Sequence, residues 1–249
     1  MSGHSKWASI KHKKAATDAK RGRMFTKLLK EIEIAARIGG GDPDGNPRLR
    51  SAIQAARDAS MPNDNINRAV KRGSGELAGV TYEDFLIEGY GQSGVAILVE
   101  GTTDNKNRTM PELRHVFQKY GGTMGAMGSV AWMFKKKGTI MVPAAGLDED
   151  SVMEIALEAG AEDFASEEGY FRITTDSVSM DKVRKALEDK KIKVEASTLE
   201  NIPDNTVKVE GEAVPKLLKL IEMIEENDDV KSVSANYDID DSLIEKYSE

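Results

Sequence analysis

Seven of the first 23 residues are lysine or arginine (Lys6, Lys11, Lys13, Lys14, Lys20, Arg21 and Arg23), and one is acidic, Asp18. Long flexible cations at this density displace counterions from a phosphate backbone. Arginine can also grip a phosphate through two hydrogen bonds. Trp7 stands among them, where an indole can stack on an unpaired base, and His12 lies in the same run. Lys27, Arg48, Arg50, Arg68, Lys71 and Arg72 continue the positive charge. The chemistry of this set is polyanion binding. The competing reading is a solubilising face with Trp7 packed into a core; the local, one-signed density favours binding. Nothing in the set separates DNA from RNA.

Other motifs carry less. Lys106 and Arg108 lie in the polar segment Thr103–Thr109 near a helix start, which is a favourable place for an anion. Turn chemistry from Asp104 and Asn105 explains the same residues equally well. Gly89–Gly94 spells GxGxxG, but the apolar run Val95–Val99 behind it reads as a strand, so a hairpin turn is expected there instead of a dinucleotide site. Gly122, Gly125 and Gly128 could aim backbone amides at a phosphate; a flexible connection is the favoured reading. His115 reads as exposed on a helix face, and His4 and His12 have no paired carboxylate or cysteine, so no metal site is expected. Carboxylates cluster at Asp148–Asp150, Glu225–Asp229 and Asp238–Asp241. The first reads as a helix N-terminus and the others as solvated ends. No nucleophile motif appears. No catalytic residue, cofactor or small-molecule substrate is expected.

The elements that position these residues follow from periodicity. Residues 1–16 read as a basic arm and 17–75 as a helical domain. Met24, Phe25, Leu28, Leu29, Ile32, Ala35 and Ala36 recur at helical spacing, with Lys20, Arg23, Lys27 and Lys30 opposite them. Asn46 caps a second helix with Pro47 at its first position. A third helix follows Pro62. Gly73–Gly79 is the linker, where the charge changes sign: residues 1–75 hold 16 basic and 7 acidic residues, and residues 76–249 hold 19 and 35. Beyond it, strands are expected at Tyr82–Tyr90, Val95–Gly101 and Val130–Phe134, with a capping box opening a helix at Thr109. Residues 138–200 read as βαββαβ, the ferredoxin-like order. They are expected to be inserted into a discontinuous α/β domain made of 80–137 and 201–249. The fold class is therefore α+β and multidomain: a three-helix domain followed by two ferredoxin-like α/β sandwiches, one inside the other.

The chain has 249 residues, a net charge of −7 and no cysteine. Disulfides and thiol chemistry are excluded. The longest apolar run is a strand's length, and the N-terminal stretch lacks an apolar signal core. A cytoplasmic protein without a membrane partner is expected.

The segments GHSKWASIKHKKAATDAKRGRMFTKL, NPRLRSAI, MPNDNINRAVKRGSG, EGYGQSGVAILVE, TDNKNRT and GSVAWMF resemble the YebC family. The resemblance runs through nearly the whole chain. It implies three domains, one inserted in another, in agreement with the periodicity. It also implies DNA binding and transcriptional control, the family's members being named probable transcriptional regulatory proteins. The relationship to the mitochondrial translational activator of cytochrome c oxidase implies an alternative: a ribosome-associated factor binding ribosomal RNA or tRNA. The hallmark positions it carries over are Gly3, His4, Ser5, Lys6, Trp7, Lys11, Lys13 and Lys14, then Asp104, Asn105, Asn107 and Arg108.

Overall fold

The computed structural model describes residues 18–167, 169–240, 242, 243 and 247. The chain divides into two compact units, one of Met1–Val130 with Thr206–Glu249 and the other of Ala131–Asn205.

The first unit opens with three helices, α1 (Asp18–Gly39), α2 (Pro47–Asp58) and α3 (Asn63–Gly73). Their core is Ile32, Ala35 and Ala36 of α1, Leu49, Ala52, Ile53 and Ala56 of α2, and Ile66 and Ala69 of α3. Asn46 ends one helix and begins the next. Its side-chain oxygen accepts from Leu49 N at 3.1 Å, while its Nδ2 donates to the carbonyls of Ala35 and Gly40. Gly73 is required where α3 crosses α1. A Cβ there would overlap the carbonyl oxygen of Glu33 and stand 2.6 Å from the Ala36 Cβ.

Strands β1 (Glu83–Tyr90) and β2 (Ala96–Thr103) follow, then α4 (Lys106–Lys119) and the short β3 (Thr123–Met124). β1 and β2 form an antiparallel hairpin around a tight turn at Gln92–Gly94, where Ser93 has φ 58°. The GxGxxG stretch is thus a hairpin turn. α4 starts at the Asn105 cap, whose side chain accepts from Arg108 N at 3.2 Å, so Pro111 falls inside the helix. The capping box expected at Thr109 is not the start, because the Asn105 side chain supplies the cap one turn earlier.

The second unit begins with a 3-10 turn, Ala131–Met133, and β4 (Phe134–Pro143). The expected strand at Val130–Phe134 is absent. Phe134 instead opens a strand that pairs along its length with β7 (Ala196–Pro203). Between them come α5 (Glu149–Ala159), β5 (Ala161–Glu167), β6 (Tyr170–Asp176) and α6 (Met180–Asp189). The sheet order β5-β6-β4-β7 is wholly antiparallel, and this βαββαβ arrangement is ferredoxin-like. Ile140, Val142, Phe171 and Ile173 pack against Val152, Ala156, Val183 and Leu187 of the two helices.

The chain then completes the first unit with β8 (Val207–Lys208), α7 (Ala213–Glu225), β9 (Val230–Ala235) and β10 (Tyr237–Asp238). The four-stranded sheet runs β3-β1-β2-β9. Its inner face, with Phe85, Ile87, Ile97, Val99 and Val233, is covered by Leu113 and Phe117 of α4 and Leu217, Leu220 and Ile224 of α7. The protein is thus α+β and multidomain.

Candidate nucleic-acid interface

The structure sorts the cations marked in the sequence into groups. Lys6, Trp7, Lys11, His12, Lys13 and Lys14 lie outside the described residues, as do the side chains of Lys20 and Arg21. Arg50, Arg68 and Lys71 are exposed on α2 and α3, together with Arg57, which the sequence reading did not single out. Arg50 reaches only backbone carbonyls, those of Pro43 and Asp44. Arg57, Arg68 and Lys71 have no carboxylate partner among the described residues. Four cations are thus presented on the outer side of one small helix pair.

The remaining cations are held by the protein itself. Arg48 pairs with Glu31 at 2.8 Å and Arg72 with Glu33 at 2.8 Å. Lys106 pairs with Glu83 at 2.7 Å. The polar face of α1 docks on the loop after α7. Arg23 meets Glu226 at 2.9 Å, and Lys27 donates to the Glu225 carbonyl at 2.8 Å. Lys30 reaches deepest, to Asp229 Oδ1 at 2.6 Å and to the carbonyls of Thr102 and Asp228.

Asp229 is the centre of this contact and is 5% exposed. Its Oδ2 accepts from Arg108 at 2.8 Å, Thr103 Oγ1 at 3.0 Å and Thr109 Oγ1 at 2.5 Å. Its backbone carbonyl accepts from Thr102 N at 2.8 Å, which carries the β2–β9 ladder past a bulge at Glu100/Gly101. Gly101 is required there, since a Cβ would overlap the Asp229 carbonyl oxygen and the Phe85 ring. Burial raises the carboxyl pKa, but hydrogen bonds from Lys30, Thr109 and Arg108 and the charge of Lys30 outweigh it, holding the group at about 2. The bonds to Asp229 and Asp104 raise the Arg108 pKa in turn. The segment Glu225–Asp229 is therefore not a solvated end. It folds back because its carboxylate and carbonyls complement the cations of α1.

A second buried carboxylate supports the same joint. Glu33 accepts from Arg72 and from the Tyr82 hydroxyl at 3.1 Å. The Tyr82 ring lies under Lys30 Nζ at 5.7 Å and the Arg37 guanidinium at 5.8 Å, in cation–π contact. Burial, followed by the neighbouring Glu33, pushes its hydroxyl up to about 12. Between α1 and the loop after α7 lies a cleft of about 680 Å³. Asp104, Glu112, Glu226, Asp228 and Asp229 line it against Arg23, Lys30 and Arg108. Acids outnumber bases, so the cleft does not attract a polyanion.

The glycine-rich loop already holds an anion of its own. Gly128 N and Val130 N donate to the two carboxylate oxygens of Glu88 at 2.5 and 2.6 Å, and Gly125 N donates to the Glu88 carbonyl. The amides read as a phosphate cradle are thus turned inward. His115 is exposed on α4. No group of three or more His, Cys, Asp or Glu among the described residues could hold a metal ion. No described helix is long and apolar enough to cross a membrane.

The sequence reading missed Asp229, Thr103, Thr109, Glu33 and Glu88. One signal was available: the acidic run closing α7 is opposite in sign to the cationic stripe of α1.

Two family models match the chain. One, described as the TACO1/YebC protein N-terminal domain, matches residues 5–76; the other, the TACO1/YebC second and third domain, matches residues 82–237. A protein of Syntrophus aciditrophicus named "Probable transcriptional regulatory protein" is 53% identical over 249 residues, covering 100% of both chains. One of Solibacter usitatus with the same name is 54% identical, again over 100% of both. The crystal structure of a conserved hypothetical protein, Aq1575 from Aquifex aeolicus, superposes with a TM-score of 0.84 at 46% identity, covering 93% of this chain and 96% of that one.

Proposed function

Since the chain belongs to the TACO1/YebC family, we propose that it is a non-enzymatic transcriptional regulator that binds DNA through its helical domain and basic arm. Its relatives' names point to regulation. One observation carries the binding mode: Arg50, Arg57, Arg68 and Lys71 are exposed with no carboxylate partner among the described residues, while Arg23 and Lys30 of α1 are paired with Glu226 and Asp229. The arm, with Lys6, Lys11, Lys13, Lys14 and Trp7, adds further positive charge ahead of these helices in the sequence. The acidic remainder of the chain limits indiscriminate adhesion to nucleic acid.

Salt titration of the full chain on duplex DNA and on structured RNA tests this. Engagement of about six to eight phosphates gives a slope of log K against log salt near −5 to −7 on duplex DNA. Replacing Lys11, Lys13 and Lys14 by alanine flattens that slope by about 3 units. A slope near zero on both polymers refutes polyanion binding. A slope confined to structured RNA moves the protein from transcription to translation.

A further inference from the structure

The two helices whose exposed cations have no carboxylate partner among the described residues are joined in a particular way. α2 ends at Asp58 and α3 begins at Asn63, so residues 59–62 alone connect them. Ser60 has φ 60°, a left-handed bend, and the next residue, Met61, is 5% exposed and pinned into the core of the helical domain. Helix pairs joined by a turn of this length are a recurring DNA-binding device. The first helix crosses the phosphate backbone, and the second lies in the major groove.

The surface of α3 fits the second role. Ile66, Ala69 and Gly73 are buried, and Gly73 permits the close crossing with α1. The opposite side presents Asp64, Asn67, Arg68 and Lys71, all exposed. Neither Asn67 nor Arg68 makes a side-chain hydrogen bond among the described residues, so both keep their full donor and acceptor capacity. At about 1.5 Å per residue, Asp64 to Lys71 spans about 10 Å. That is about three base-pair steps at about 3.4 Å each. Asparagine pairs with the adenine edge and arginine with the guanine edge, each through two hydrogen bonds. Arg50 and Arg57 are exposed on α2, the helix that in such a pair crosses the phosphates. A basic arm ahead of three helices is also the order of domains whose third helix reads the major groove.

We propose that α3 is a base-reading helix, with Asn67 and Arg68 contacting base edges in the major groove of duplex DNA and Lys71, Arg50 and Arg57 holding phosphates. The proposal rests on the function given above and adds sequence discrimination to it.

The test is selection from a pool of randomised duplexes by the full chain and by Asn67→Ala, Arg68→Ala and Lys71→Ala. All three side chains are exposed, and melting curves establish that each variant folds like the wild type. The wild type should enrich a short motif. Asn67→Ala and Arg68→Ala should each relax the preference at one position by about 5- to 150-fold. Lys71→Ala should keep the motif, weaken all duplexes alike and reduce the salt slope by about 1. The proposal is overturned if the wild type binds duplexes in a salt-dependent way without enriching any sequence. It is equally overturned if Asn67→Ala and Arg68→Ala select the wild-type motif at full strength. Both results leave the broader binding function standing, whereas loss of all salt-dependent binding by the wild type removes the two together.

Discussion

Lys30 and Asp229 stand 199 residues apart in the chain, yet their charged atoms meet at 2.6 Å, with the carboxylate almost wholly buried. A buried pair adds little net stability as a pair, but removing one partner strands the other's charge. Asp229→Ala leaves part-buried Lys30 without its carboxylate, with Arg108 held by Asp104 alone, and it should cost about 3–5 kcal/mol in urea unfolding. Lys30→Ala should cost less, because Arg108 and two threonine hydroxyls still hold the carboxylate. The double-mutant cycle should give a coupling of at least about 1 kcal/mol. Additivity of the two losses would mean that the contact is geometric without being energetic.

The same carboxylate sets a pH dependence. Its native value of about 2 lies below the ordinary 3.8, so between those values the unfolded chain binds the extra proton. The stability it confers is complete above about pH 4 and is lost as pH falls toward 2, amounting to about 2 kcal/mol. Comparing the stability of wild type and Asp229→Asn across that window isolates this share. Parallel curves would show that Asp229 titrates normally in the native state.

Replacing Arg50, Arg57, Arg68 and Lys71 together by alanine should leave the melting temperature near that of the wild type. It should flatten the salt slope on duplex DNA by about 3 to 4 units. Arg72→Ala should do the reverse. It leaves buried Glu33 with the Tyr82 hydroxyl, so stability should fall by about 1–3 kcal/mol while the salt slope holds. Equal effects of the two substitutions on binding would erase the distinction between free and internally paired cations.

Gly73→Ala probes the α1–α3 crossing. The added methyl meets the Glu33 backbone and Ala36, and a rigid contact of this kind costs about 1–3 kcal/mol. Thermal unfolding should shift downward by several degrees. An unchanged melting temperature would indicate that α3 can slide on α1.

Local chemistry was legible in the chain, and distant pairing was not. Asn46-Pro47 announced the start of α2 because a cap and its helix lie within three residues. The alternation through 138–200 was enough to read βαββαβ, since each strand and helix carries its own periodicity. At Thr109 a sound local rule met a better competitor: Asn105 caps α4 a turn earlier, which frees the Thr109 hydroxyl for Asp229. The basic residues were all visible, but their division into free and occupied was not. That division depends on partners such as Glu226 and Asp229, about 200 residues away. Nor did the spacing of Gly122, Gly125 and Gly128 reveal that Glu88 occupies their loop, because its distance along the chain hides the pair.

The insertion of Ala131–Asn205 also imposes an order of events during synthesis. When the ribosome has made residue 130, the cations of α1 already exist, but Glu226, Asp229 and strand β9 do not. At about 5–20 residues per second, roughly 5–20 s pass before they are made. In that interval the inserted unit can close its own sheet, while β2 waits with an unpaired edge and α1 keeps an uncompensated charged stripe. The N-terminal helices thus cannot be fastened to the sheet they serve until after residue 229 has been made.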